Sequence, residues 1–144
     1  MKSFKKIAHV ALGCAVGTAC AQQIQRAPLP ESHPLVATWR IDIPSMNCFE
    51  EYEVRADGTK HSRSGEERNE SEFVISVIPS LKGFYKWTDT ITKNNGKPDC
   101  SGSFTKLGHV AVNYVLVHPS GQRILLCEAE DMNSCFAEFH RVGK

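Results

Sequence analysis

Apolar and polar residues alternate along most of the chain from residue 35 onward, which is the period of a β-strand with one buried face. Residues 35–43 show it most clearly, because Leu35, Ala37, Trp39, Ile41 and Ile43 occupy alternate positions and Pro44 follows them. The same pattern predicts further strands over residues 48–55, 59–64, 71–78, 83–93, 100–106, 109–118, 123–128 and 135–142.

Turn signals separate these segments. Asp57-Gly58 and Asn94-Asn95-Gly96 are sequences typical of β-hairpin turns, and Pro119-Ser120-Gly121 predicts a further turn. After residue 21 no stretch of ten residues has apolar positions at helical spacing without an interrupting Gly or Pro. The pattern is typical of an all-β barrel or sandwich. Short connections favour a single up-and-down antiparallel barrel of about eight strands over residues 35–144.

The first 21 residues have the features of a secretory signal peptide. Three lysines precede an apolar run, and Ala19-Cys20-Ala21 is a small-residue cleavage site. The apolar run is too short for a transmembrane helix. We expect cleavage after Ala21, a flexible and largely unpacked leader over residues 22–34, and a periplasmic or secreted bacterial protein. The alternative is a lipoprotein anchored through Cys20.

Four cysteines remain after the predicted cleavage. An even number in an exported chain indicates two disulfides, with three connectivities open. If residues 128–134 form a hairpin loop, Cys127 faces Cys135 across the last two strands, and Cys48 then pairs with Cys100. No Cys-x-x-Cys pair is present to form half of a zinc site, so we predict no metal.

The net charge argues against polyanionic partners. The chain has 17 basic and 16 acidic residues, and residues 1–21 hold three lysines and no acid, so the predicted mature chain carries 14 against 16. Without a basic surplus, we expect it to bind neither nucleic acid nor an anionic membrane surface.

Residues 33–40, in which Trp39 stands early in the first strand, resemble the first-strand Gly-x-Trp signature of lipocalins and of the short lipocalin-like, calycin-type proteins that bacteria export. Ala37 stands where that signature has glycine, and the chain is shorter than a typical lipocalin. The resemblance covers this strand and the general run of hairpins. It implies that Trp39 closes one end of the barrel and that the other end admits a small apolar ligand.

Six aromatic residues are candidates for lining such a ligand site: Trp39, Tyr52, Phe73, Tyr85, Trp87 and Tyr114. The alternative is that they simply pack the interior, because an eight-stranded barrel is only just wide enough to hold one small molecule.

No catalytic or cofactor-binding motif is recognisable, and we predict a protein that is not an enzyme and has no cofactor. Glu138 and His140 share a strand face, where they form either an acid/base pair or, as we favour, part of a surface ion pair. The charged run over residues 65–72 is interpreted as a solvated loop, with an acidic arm that enters a partner as the alternative.

Three functions remain open. The first, which we favour, is an exported lipocalin-like binding protein for a small apolar ligand. The second is an inhibitor or immunity factor that binds an envelope protein such as a cell-wall hydrolase. The third is a structural component of the envelope.

Overall fold

The computed structural model describes residues 26–143, in which eight antiparallel strands form a closed barrel. Each strand pairs with its neighbours in sequence, and the last strand closes onto the first. The predicted all-β, up-and-down barrel is therefore confirmed. The predicted signal peptide, Cys20 and residues 22–25 lie outside the described residues. The strands are β1 (Ala37–Ile43), β2 (Cys48–Val54), β3 (Thr59–Ser64), β4 (Glu67–Ile75), β5 (Phe84–Asn94), β6 (Val110–Val117), β7 (Arg123–Cys127) and β8 (Cys135–Val142).

Helical structure in the described part of the chain includes two single-turn 3-10 helices, Pro44–Met46 and Met132–Ser134. Between residues 26 and 143, no helix combines the length and the apolar character that crossing a bilayer requires.

Both predicted disulfides are present. Cys48 is bonded to Cys100, and Cys127 is bonded to Cys135. The second bond joins residues that face each other where β7 pairs with β8, next to a bulge at Leu126 and Cys127. The first joins the start of β2 to the long connection between β5 and β6, which is residues 95–109 and is called the strap below. Two disulfides are compatible with an exported protein.

Two predictions about strands are wrong. The charged run over residues 65–72 is not a solvated loop, because β4 begins at Glu67 and places Glu67, Asn69 and Ser71 inside the barrel. Its inward side chains are polar, so the usual contrast between a buried apolar face and an exposed polar face is missing. Residues 100–106 do not form a strand and belong instead to the strap, whose position is fixed by the disulfide at Cys100.

The N-terminal segment packs against one end of the barrel, which we call the closed end. The Leu29 backbone N–H donates to Ala56 O at 2.7 Å, and the Leu29 and His33 side chains are buried. Trp39 is fully buried nearby, and its indole N–H donates to Leu35 O at 3.0 Å. Within the predicted leader, Leu29 and His33 are thus packed, whereas residues 26, 28 and 30–32 are exposed.

Candidate functional site

The interior of the barrel has an apolar part and a polar part. The apolar part includes the closed end, and its core residues are Leu29, Leu35, Trp39, Val54, Phe73, Ile75, Trp87, Val115, Ile124, Leu126 and Phe139. At the opposite end, called the open end, the inward positions of β2 to β6 carry polar side chains. These are Glu50, Tyr52, Lys60, Ser62, Ser64, Glu67, Asn69, Asp89 and Asn113.

A cavity with a volume of about 230 Å³ lies among these polar side chains. It equals the liquid volume of about seven or eight water molecules, at roughly 30 Å³ each. Trp87, Ala111 and Leu126 form its apolar wall, and His109 is an exposed residue of its lining. The cavity therefore has room for one small molecule and reaches the surface beside His109.

An ion pair forms one side of the cavity. Lys60 on β3 projects inward, and its Nζ donates to Asp89 Oδ2 on β5. The same ammonium lies 4.7 Å from the centre of the Tyr52 ring and 5.4 Å from that of Trp87. Both charged side chains are more than nine-tenths buried, so each depends on the other to offset its lost hydration.

At this ion pair, one oxygen of Asp89 and the indole nitrogen of the nearby Trp87 are buried and have no hydrogen-bond partner among the described residues. They are Asp89 Oδ1, an acceptor, and Trp87 Nε1, a donor. Asp89 and Trp87 are two residues apart on β5, so both side chains face the interior, and both residues line the cavity. Buried polar groups are rarely left unpaired in proteins, which makes this pair of atoms a feature that needs explanation.

Glu50 is held by neutral donors. Tyr52 Oη donates to Glu50 Oε2 at 3.1 Å, and Ser64 Oγ donates to Glu50 Oε1 at 2.9 Å. Burial, reinforced by the Glu50 carboxylate, raises the pKa of the Tyr52 phenol far above its usual range. The phenol therefore stays protonated and remains a donor to Glu50.

The strap covers part of the open end and contacts Glu67. Thr105 N donates to Glu67 Oε1 at 3.2 Å, and Asn94 Nδ2 lies 3.5 Å from the same oxygen. Asn94 Nδ2 also donates to Asn69 Oδ1 at 2.7 Å and to Thr105 O at 3.0 Å. These bonds fix one oxygen of Glu67, and no hydrogen bond from the described residues reaches Glu67 Oε2.

Close packing holds the strap at Cys100. The Cys100 backbone N–H donates to Ser64 Oγ at 3.0 Å, and a Cβ added to Gly65 would lie 3.2 Å from Cys100 N. Asp99, which lines the cavity, is buried enough to oppose ionisation, yet hydrogen bonds from Ser101 and Ser103 outweigh burial and lower its pKa. The Asp99 carboxylate is therefore charged at neutral pH.

The six aromatic residues predicted to line a ligand site do not lie together. Tyr52 and Trp87 line the cavity. Trp39 and Phe73 are fully buried in the apolar core, and Tyr85 packs against that core with its ring 5.0 Å from His33. Tyr114 alternates with the buried Val115 and so lies on the outer face of β6. The structure thus brings two of the six to the cavity.

Sequence reasoning did not select the polar residues of the cavity, namely Lys60, Glu67, Asn69 and Asp89. One signal was available for β4. Glu67, Asn69 and Ser71 occupy the same alternate positions as Phe73 and Ile75, so the inward face of the apolar half continues into them. Lys60 and Asp89 carry no such signal, because charged residues on a strand usually face solvent.

Glu138 and His140 are both exposed on β8. Glu138 Oε1 lies 3.4 Å from Arg123 Nη1, which is the surface ion pair that the sequence analysis favoured over an acid/base pair. In residues 26–143, no three His, Cys, Asp or Glu side chains are placed to hold one metal ion.

We compared the chain with known protein families, curated proteins and solved structures. No protein-family model matches the chain, and neither a curated protein nor a solved structure matches it.

Proposed function

We propose that this chain is an exported, non-catalytic binding protein of lipocalin-like type that holds one small polar molecule in its barrel cavity. The observation that carries the proposal is the cavity of about 230 Å³ lined by Trp87 and Asp89, each of which has a buried polar atom without a partner among the described residues. A bound molecule with one donor and one acceptor satisfies both atoms once the Trp87 and Asp89 side chains turn toward it, because both atoms are buried in this structure.

The lining favours a polar ligand over the apolar one that the resemblance implied. Five cavity residues have an ionisable carboxyl or amino group in the side chain: Glu50, Lys60, Glu67, Asp89 and Asp99. An apolar molecule placed beside them removes their remaining hydration and returns no hydrogen bond, which costs free energy. Export is supported by the signal-like first 21 residues and by the two disulfides.

The indole N–H groups of Trp39 and Trp87 provide the test. The chain contains two tryptophans, and the Trp39 indole N–H is already bonded to Leu35 O. We expect small polar compounds from a charge-diverse set to shift the Trp87 indole signal in ¹H–¹⁵N spectra of the oxidised protein. The Trp39 signal stays in place as an internal reference.

Two matched variants locate the binding. Ala111→Phe fills the cavity from β6, whereas Val112→Phe adds the same ring to the adjacent outward position. The shifts disappear in Ala111→Phe and persist in Val112→Phe if the ligand occupies the cavity. The proposal fails if no compound moves the Trp87 signal, or if the shifts survive Ala111→Phe.

Exposed apolar side chains on the strap favour a second candidate function, binding to an envelope protein such as a cell-wall hydrolase. Phe104 and Leu107 are 64% and 66% exposed and lie three residues apart. Large apolar side chains clustered on a loop are typical of protein contact sites.

An assay of peptidoglycan hydrolysis by a purified c-type lysozyme tests this second candidate. It predicts inhibition by the wild type and by Ala111→Phe, and loss of inhibition in Phe104→Ser/Leu107→Ser. If the wild type does not slow hydrolysis, this candidate is rejected for that enzyme class while the cavity proposal is unaffected.

A further inference from the structure

The charges around the cavity are unbalanced. Its lining includes four carboxylates, from Glu50, Glu67, Asp89 and Asp99, and one ammonium group, from Lys60. Lys60 is paired with Asp89. The other three carboxylates, from Glu50, Glu67 and Asp99, form no salt bridge within the described part of the chain.

The remaining carboxylates are held by neutral donors. Glu50 accepts from two hydroxyl groups, Asp99 accepts from Ser101 and Ser103 of its own loop, and Glu67 accepts from the Thr105 backbone N–H. Neither Glu50 nor Glu67 forms a salt bridge within the described part of the chain. Glu67 is only 5% exposed, and buried carboxylates are usually paired with a cation.

A second, independent observation points to a ligand here. Asp89 is 6% exposed and Trp87 is 2% exposed, both line the cavity, and each has an unpartnered polar atom. The acidic side chains thus surround a space whose wall also contains unused hydrogen-bonding capacity.

The barrel already shows how it holds an ammonium group. Lys60 Nζ sits on one carboxylate and over the faces of two aromatic rings, those of Tyr52 and Trp87. Carboxylates and aromatic faces together are the usual surroundings of bound organic cations.

We propose that the ligand of the cavity is a small organic cation, an amine whose ammonium group binds Glu67 and whose carbon skeleton lies against Trp87, Ala111 and Leu126. This inference rests on the proposed function and adds the chemical class of the ligand. Glu67 Oε2, the oxygen that the strap does not contact, is the acceptor for the ammonium group. Asp89 and Trp87 offer an acceptor and a donor to any further polar group that the ligand carries.

Three probes of matched size and different charge provide the test: phenethylamine, 2-phenylethanol and phenylacetate. Their dissociation constants are measured at neutral pH from the shift of the Trp87 indole signal, with EDTA present. We expect phenethylamine to bind about tenfold more tightly than 2-phenylethanol, because its ammonium group adds a charge–charge attraction to the Glu67 carboxylate that the neutral hydroxyl lacks. Phenylacetate is expected to bind most weakly.

A pair of neighbouring variants assigns the ammonium site. Glu67→Gln keeps an oxygen for Thr105 N but replaces the free acceptor with a donor, so the affinity for phenethylamine falls about tenfold and that for 2-phenylethanol changes little. Glu66→Gln changes the adjacent exposed residue and leaves both affinities unchanged. Glu50→Gln is a second cavity variant if Glu67→Gln does not fold, and circular dichroism checks folding.

The outcomes separate the two proposals. If 2-phenylethanol or phenylacetate binds as tightly as phenethylamine and Ala111→Phe abolishes that binding, the cation inference is wrong and the binding function stands. The cation inference is also wrong if a folded Glu67→Gln variant, or Glu50→Gln where Glu67→Gln does not fold, leaves the affinity for phenethylamine unchanged. If none of the charge-diverse compounds shifts the Trp87 signal, both proposals fail.

Discussion

The Lys60 ammonium and the Asp89 carboxylate meet inside the barrel, although their strands are separated by β4. Because both side chains are buried and line the cavity, this pair spans the interior of the barrel. The contact defines a charged wall in a part of the molecule that is normally apolar.

Replacing one member of this ion pair leaves the other charge buried without a partner. We expect Lys60→Met and Asp89→Leu each to lower the free energy of unfolding by about 3–5 kcal/mol, and the double variant to lose less than either single variant. Urea unfolding of the four proteins with disulfides intact gives the coupling energy. Additive losses would show that the two side chains do not depend on each other.

The two tryptophans have similar burial and different hydrogen bonding. Trp39→Phe leaves the Leu35 carbonyl without its donor, whereas Trp87→Phe removes an N–H that has no partner in the described chain. We therefore expect Trp39→Phe to cost about 1–3 kcal/mol more than Trp87→Phe in the free energy of unfolding. Urea unfolding monitored by far-ultraviolet circular dichroism measures both. Equal losses would mean that the Trp87 N–H is bonded after all.

His33 makes stability depend on pH. Burial lowers its pKa below 6.5, and its Nδ1 accepts from Leu35 N at 3.3 Å while Nε2 faces Ser76 O at 3.2 Å. The unfolded chain therefore binds a proton at His33 more readily than the folded chain does. The stabilisation that the neutral His33 provides is complete above about pH 6.5 and is lost as the pH falls below that value.

His33→Gln keeps a donor for Ser76 O and removes the titration. Between about pH 7.5 and about pH 5.0, we expect the melting temperature of the wild type to fall further than that of His33→Gln. Other titrating groups affect both proteins alike, so the difference isolates His33. The same fall in both would assign the acid sensitivity to other groups.

The two disulfides differ in the length of chain they close. Cys48–Cys100 spans 52 positions and Cys127–Cys135 spans 8. In the loop-entropy description, replacing the first pair by serines costs about 4 kcal/mol and replacing the second costs about 2–3 kcal/mol. Urea unfolding of the two double variants shows which disulfide contributes more to the free energy of unfolding.

The first disulfide also holds the strap over the cavity. The Cys48→Ser/Cys100→Ser variant is therefore expected to weaken phenethylamine binding, whereas Cys127→Ser/Cys135→Ser is not, under conditions where each remains folded. Equal affinities in the two variants would contradict a role for the strap in binding.

Sequence alone was sufficient for the architecture. Alternation in residues 35–43 and the turn at Asp57 and Gly58 predicted strands that the barrel contains, and the hairpin expected between Cys127 and Cys135 favoured the two disulfide pairings that are present. These predictions succeed because side-chain alternation and hairpin turns are local properties.

The cavity was not predictable in the same way. Glu67 and Asn69 face inward only because β4 keeps the register set by Phe73 and Ile75, and Lys60 shares the inward face of β3 with Ser62 and Ser64, where Asp89 offsets its charge. Both depend on contacts between strands that hydropathy does not record. The strap is positioned by the bond at Cys100 and by Thr105, so its residues show no strand period.

A crystal structure of the oxidised protein with phenethylamine locates the ligand directly. We expect the amine inside the barrel, with its nitrogen about 2.7–3.2 Å from Glu67 Oε2 and its ring against Trp87. A cavity that holds only ordered water, with the amine absent or bound outside the barrel, would contradict this expectation.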